Sequence, residues 1–169
     1  GTGIVSGTTS ATTGVYTVTI QATDTLTQSG SRTYDFLVRP PVTITPPTLP
    51  DATQGTAYSQ SLTATGALGT ALFQLSGGAL PAGLSLATNG AISGTPTAIG
   101  TATFDVTATT SQQQSATRTL TLTVLDPLAI GTAALPDATE LEAYTTTLTA
   151  TGGATSGLSW TLQSGTLPP

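Results

Sequence analysis

Residues 100–110 read GTATFDVTATT, and the alternation in them decides the class of the fold. Ala102, Phe104, Val106 and Ala108 fall on one face of an extended chain, and Thr101, Thr103, Asp105 and Thr107 on the other. Successive side chains of an extended backbone point to opposite sides, so a period of two marks a strand with one buried and one wet face. The stretch RTLTLTV at 118–124 reads the same way, with Leu120, Leu122 and Val124 inward and Thr119, Thr121 and Thr123 outward. Threonine suits the outer face, because its β-branch favours a pleated backbone and its hydroxyl favours water. The apolar spacing of three and four that makes an amphipathic helix is missing, and the pattern predicts antiparallel strands in an all-β fold.

Upstream, Tyr58, Leu62 and Ala64 fall inward on an earlier strand, and Phe73 and Leu75 on the next. The predicted core is therefore Tyr58, Leu62, Phe73, Leu75, Phe104, Val106, Leu120 and Leu122, each large side chain stabilising by about 1.5 to 3 kcal/mol on burial. Turn residues separate the strands. Leu80-Pro81-Ala82-Gly83 predicts a type I turn with proline second and glycine fourth. Ser93-Gly94-Thr95 predicts a positive φ or a bulge at the glycine, and Pro-Asp at 50–51 and 136–137 predicts a turn whose carboxylate accepts backbone N–H groups. Seven or so short strands between such signals imply an Ig-like β-sandwich.

The chain also repeats itself. LPDATQGTAYSQSLTATG begins at Leu49 and returns as LPDATELEAYTTTLTATG at Leu135, 86 residues on. GIVSGTTSATTGVYTV from Gly3 returns as GAISGTPTAIGTATFDV from Gly90, 87 residues on, because Thr13 has no counterpart before Gly100. Core positions recur with the repeat: Tyr16, Val18, Ile20 and Ala22, then Tyr34, Phe36 and Val38, in an earlier copy, and Tyr144, Leu148, Ala150, Trp160 and Leu162 in a later one. Trp160 is therefore a predicted core residue, standing where Phe73 stands. Self-similarity of this kind describes an array of one supersecondary unit. Residues 42–127 are read as one complete repeat, 1–41 as the C-terminal half of another and 128–169 as the N-terminal half of a third. Gly1 aligns with Thr88 and Pro169 with Ala82, which leaves only Gly83–Ala87 without a second copy. The outer halves are expected to be completed by continuation of the chain or by strand complementation between subunits, since proteins do not leave sheet edges and apolar faces uncovered. Pro40-Pro41 and Asp126-Pro127 mark joints expected to be semi-rigid.

Four stretches, LPDATQGTAYSQSLTATG, LFQLSGGALPAGLSL, GAISGTPTAIGTATFDVTAT and RTLTLTV, resemble the Ig-like repeats of large bacterial surface proteins, relatives of the dystroglycan-type cadherin-like domain. The resemblance covers essentially the whole chain. It implies tandem Ig-like or cadherin-like sandwiches of about 87 residues, located outside the cell or on its surface, in adhesins, stalks and fibres. It implies no enzyme. The partners it implies are neighbouring copies of the same repeat or chain.

Composition narrows the chemistry. Cysteine, histidine, lysine and methionine are all absent, which removes disulfides, thiolate metal sites, Ser-His-Asp triads and Ser-Lys dyads. Only paired carboxylates could catalyse, and the eight acids are scattered, so no catalytic residue and no cofactor is expected. A net charge of -5 with three arginines argues against nucleic acid, and no apolar run is long enough for membrane insertion. Scarce trypsin-like cleavage points suit an extracellular setting.

The candidate Ca²⁺ ligands are Asp137, Glu140 and Glu142, a D-x-x-E-x-E that offers oxygens, and Asp126 at a joint, where cadherin-like relatives hold the ion. Their counterparts are Asp51, Gln54, Thr56 and Arg39, so the alternative is a turn carboxylate with solvated charges. Asp24 has Thr110 as its counterpart. The rows Thr119, Thr121, Thr123 and Thr145, Thr147, Thr149, Thr151 could order water if the sheet were flat, but sheets twist, and solvated strand faces are expected. The leading reading is a structural repeat. A carbohydrate- or host-surface-binding module comes second, with Tyr58 and Tyr144 the aromatics least committed to the core, and a Ca²⁺-rigidified rod third.

Overall fold

The alternation of threonine with apolar residues favours strands, of which the described residues form thirteen. The computed structural model describes residues 2–154 and 157–167, so the alignments of Gly1 with Thr88 and of Pro169 with Ala82 lie outside the described residues. Strands β1 (Gly14–Thr23) and β2 (Ser29–Val38) form a hairpin. Next come β3 (Thr43–Thr45), β4 (Ala52–Thr53), β5 (Tyr58–Ser61), β6 (Thr63–Thr65), β7 (Ala71–Gly78), β8 (Leu84–Leu86), β9 (Ala91–Gly94), β10 (Gly100–Thr110) and β11 (Ser115–Leu125). Finally, β12 (Ala129–Ile130) pairs with β13 (Ala150–Thr151).

Strands β3 to β11 make a sandwich. One layer has the order β4-β11-β10-β7, and the other side of the core is supplied by β5-β9-β8 and the pair β3-β6. Phe104, Val106, Leu120 and Leu122, none more than 2% exposed, join Ile44, Tyr58, Leu62, Phe73 and Ile92 in one apolar cluster. The alternation read from the sequence is the alternation of burial along β10 and β11.

Several expectations are corrected by the structure. The strand carrying Tyr58 and Ala64 is two strands, because the chain changes sheets at Leu62: β5 pairs with β9 and β6 with β3. Leu62 stays buried at the crossing, its N–H donating to the Gly90 carbonyl at 2.8 Å. Strand β4 pairs in parallel with β11, at Val124↔Ala52 and Leu125↔Thr53, so not every pair is antiparallel. The Pro-Gly turn is shifted by one residue. Leu84 N–H donates to Pro81 O at 3.1 Å, which puts Gly83 third in the turn at φ +92°. That position takes glycine because the left-handed backbone is strained for any other residue and a Cβ would run into the Thr95 carbonyl. At Pro50-Asp51 the carboxylate accepts no backbone N–H among the described residues, and the loop is closed by Thr56 N–H on Thr53 O at 3.1 Å.

Leu75 and Trp160 are not buried, and nor are Tyr144, Leu148 and Leu162 of the later copy. Leu75 has inward parity, opposite Val106, but it sits on the edge strand β7 beside the register shift at Asp105/Val106 and is 40% exposed. Trp160 is 45% exposed, because among the described residues β12 and β13 are the only strands near it in sequence and no opposing layer covers it. The same reason holds for the earlier copy, where Tyr16, Val18, Ile20, Tyr34 and Phe36 share one exposed face of the hairpin.

The flanking copies nonetheless reproduce local structure residue by residue. The pairing of β1 with β2, from Gly14↔Val38 to Thr23↔Ser29, is that of β10 with β11, from Gly100↔Val124 to Thr109↔Ser115. In the same way Ala129↔Thr151 and Ile130↔Ala150 repeat Thr43↔Thr65 and Ile44↔Ala64. Even the close approach of Gly66 to the Pro41 carbonyl recurs as Gly152 to that of Pro127.

Two equivalent substitutions separate the covered hairpin from the uncovered one. Phe104→Ala is expected to destabilise the sandwich by about 3 to 5 kcal/mol. Val18→Ala, at the matching position of β1, is expected to change it by less than about 0.5 kcal/mol. Urea denaturation followed by circular dichroism checks both, since the single tryptophan lies outside the sandwich.

Candidate functional site

Asp137, Glu140 and Glu142 lie exposed on the segment between β12 and β13. They sit on a copied turn, in which Glu142 N–H donates to Thr139 O at 3.2 Å just as Thr56 donates to Thr53. Asp126 is exposed as well, and it is its backbone carbonyl that is engaged, by Gly153 N–H at 2.6 Å. Among the described residues no three acids come together in a way that could hold a metal ion. Asp24 has a structural task. Its carboxylate accepts from Leu26 N–H at 2.9 Å and Gln28 N–H at 2.8 Å, closing the β1–β2 loop. The Thr110 hydroxyl does the same in the β10–β11 loop, accepting from Gln112 and Gln114 at 3.3 and 3.1 Å. A carboxylate and a hydroxyl are interchangeable here because the loop requires only an acceptor.

The threonine rows bond to one another across strands. Hydroxyl pairs join Thr43 to Thr65 at 2.6 Å, Thr45 to Thr63 at 2.7 Å, Thr103 to Thr121 at 3.3 Å and Thr107 to Thr117 at 2.7 Å. Asp105 enters the same ladder, accepting from the Thr119 hydroxyl at 2.6 Å, a role its sequence position did not announce. Each cross-strand pair adds about 0.2 to 1 kcal/mol. The later row is not an array, since Thr145 and Thr147 lie outside any strand and only Thr151 falls within one.

Tyr58 and Tyr144 pin the chain. The Tyr58 hydroxyl donates to Pro50 O at 3.1 Å, and Tyr144 makes the copied bond to Pro136 O, also at 3.1 Å. Burial, and secondarily the negative charge of Asp51, push the Tyr58 phenol up from its ordinary value. Arg118 extends from β11 to the β3 side of the sandwich, its Nη1 donating to Ile44 O at 2.9 Å. Arg32, the matching residue of β2, lies 5.5 Å over the ring of Tyr34 instead. Among the described residues no buried side-chain nitrogen or oxygen lacks a hydrogen-bond partner. The sequence holds no histidine, cysteine or lysine.

An open cleft of about 240 Å³ lies between β12–β13 and the chain near Trp160, lined by Leu128, Ile130, Ala150, Leu158 and Trp160 with Ser159 and Thr161. No charged group lines it. Its Ile130 and Trp160 stand at the positions of Ile44 and Phe73 in the sandwich core.

A family model described as "Putative Ig domain" matches residues 40–125, the span of the sandwich. No curated protein matches the chain. Two crystal structures from Bacteroides fragilis NCTC 9343, described as a "putative alpha-galactosidase" and a "putative alpha-galactosidase/melibiase", are similar to part of it. Each is 21% identical with a TM-score of 0.43, over 49% of this chain and 17% of that one.

The raised Tyr58 pKa gives a pH dependence whose sign is fixed. The folded state holds the phenolic proton more tightly than the unfolded state does, so this contribution is complete below pH 10.0 and is lost as pH rises through the folded pKa. The urea midpoint should therefore fall above that pH. Tyr58→Phe should lower stability at neutral pH by about 0.5 to 1.5 kcal/mol and reduce the alkaline loss.

Proposed function

This chain belongs to the Ig-domain family whose model it matches over residues 40–125, and on that premise we propose a non-enzymatic structural repeat of a bacterial extracellular fibre, filament or adhesin stalk. One observation carries the reading: the core parity, the strand registers and the turn bonds recur between copies, and of the acids only Asp51 recurs, as Asp137. A repeat selected for a ligand would copy its ligand-binding groups, whereas one selected for span copies its fold. The partners in this reading are neighbouring repeats, along one chain or between chains. Its net negative charge disfavours nucleic acid, and among the described residues no helix is long and apolar enough to cross a membrane.

A second reading, a module for surface glycans or a host surface, draws support from the exposed Tyr34, Phe36 and Trp160. Their counterparts Leu120, Leu122 and Phe73 are buried, so their apolar character belongs to a core position before it belongs to a display. The third, a Ca²⁺-rigidified rod, rests on acids that do not converge.

Antibody raised against the sandwich should label intact cells that produce the protein. A glycan array should retain nothing above background, and hits abolished by Trp160→Ala would replace the stalk with the binding module. The melting temperature should be the same in excess EDTA and in excess calcium, and a rise with calcium would restore the rod.

A further inference from the structure

We infer that successive repeats of this chain are joined without a hinge, the backbone at each joint being tied to the repeat on either side, with Gln114 the positioning residue of the first joint. The inference rests on the structural reading above and adds to it the feature that fixes the step from one repeat to the next.

A hinge requires residues free to change φ and ψ, and the joint at 38–41 has almost none. Val38 ends β2 in register with Gly14 and is the one buried residue of that strand. Arg39 and Pro40 each precede a proline, which confines them to extended backbone, and the rings of Pro40 and Pro41 fix φ. Two contacts tie this stretch to the sandwich. Gln114 Nε2 donates to Pro40 O at 3.3 Å, and Gly66 comes so close to the Pro41 carbonyl that a Cβ would collide with it. Arg39 is thus the single residue between the last pair of the hairpin and the first tie to the sandwich. The joint at 125–127 is tighter. Leu125 pairs with Thr53 and its carbonyl accepts from Gln54 N–H at 2.9 Å, which holds it to the sandwich. The carbonyl of the very next residue, Asp126, accepts from Gly153 N–H at 2.6 Å in the following copy, and that of Pro127 abuts Gly152. The donors at the two joints differ, but the carbonyl held is at the matching position, Pro40 and Asp126. Repeats tied in this way turn and rise by a set step, so reach grows with their number instead of being lost to bending.

Gln114 is aimed at the joint by its loop. Thr110 N–H donates to Gln114 O at 2.8 Å, Gln113 N–H donates to Thr110 O at 3.0 Å, and Gln113 takes a φ of 59°. A positive φ is uncommon for a residue with a Cβ, yet it recurs at Thr27, with φ 63°, in the β1–β2 loop. The bonds of that loop are the same, Asp24 N–H to Gln28 O at 2.9 Å and Thr27 N–H to Asp24 O at 3.1 Å. From this frame the Gln114 side chain bridges two segments. Its Oε1 accepts from Leu68 N–H at 3.1 Å while its Nε2 reaches Pro40 O. A carboxamide is required for this, because one group must accept and donate at once. Of the three consecutive glutamines at 112–114, the copies are Leu26, Thr27 and Gln28, so the one retained is the one that touches the joint.

The sequence has no cysteine, so a pair of nitroxide labels can be placed in the full chain without competing thiols. Electron–electron distance measurement between Ser31→Cys on the hairpin and Thr109→Cys on the sandwich, both exposed, reads the first joint. Ser31→Cys with the exposed Val15→Cys, both within the hairpin, gives the reference width. The distribution across the joint should be no more than about 1.5-fold wider than the reference, and Gly-Ser-Gly inserted between Arg39 and Pro40 should widen it at least about 3-fold. Gln114→Glu keeps an acceptor for Leu68 N–H and loses the donor to Pro40 O, so it should widen the joint at least about 2-fold while the hydrogen exchange of Leu68 N–H stays slow. An unsubstituted joint as wide as the one with the insertion, or a width indifferent to Gln114→Glu, overturns the inference. Either result would leave the stalk reading standing, since surface labelling does not depend on the joint, and a failure of labelling would leave the widths unchanged.

Discussion

The burial of one apolar face of the β10–β11 hairpin against the layer opposite is the constraint on which this molecule depends. Phe104, Val106, Leu120 and Leu122 gain their stabilisation only because Ile44, Tyr58, Leu62 and Ile92 meet them from the other side. Everything else in the sandwich keeps those two sets in place. The crossing at Leu62 lets one stretch of chain serve two sheets, the Tyr58 hydroxyl anchors the preceding loop, and Arg118 joins β11 to the β3 carbonyl. The threonine ladder outside adds little per pair, but it satisfies its own hydroxyls and keeps the outer face soluble with few charges.

The flanking segments are a natural control for that constraint. The β1–β2 hairpin has the same register, the same loop bonds and the same inward parity as β10–β11, yet its apolar face is exposed. Local pairing and turn chemistry are thus sufficient for the hairpin and insufficient for a core. Hydrogen bonds within a hairpin are satisfied by two strands alone, whereas burial requires a second layer.

The chemistry of the chain follows from the same division. Its acids hold loops, join the threonine ladder or face solvent, Arg118 holds a carbonyl and Arg32 lies over a ring. The groups that recur from copy to copy are those that shape the backbone.

Much of this was legible in the residues themselves. The period of two at 100–124 determined the strands, their inward faces and the all-β class, because side-chain alternation is a property of the extended backbone alone. The recurrence at 86 to 87 residues identified which positions correspond, and the sequence holds no histidine, cysteine or lysine. Other features could be settled only in three dimensions. Leu75 and Trp160 have core parity, but parity says which way a side chain points and not whether anything lies over it. The parallel pairing of β4 with β11, the sheet change at Leu62 and the place of Gly83 in its turn depend on partners far along the chain. By itself the sequence determined which faces are apolar; the tertiary structure decided which of them are covered, because covering a face takes a second surface that no local pattern can specify.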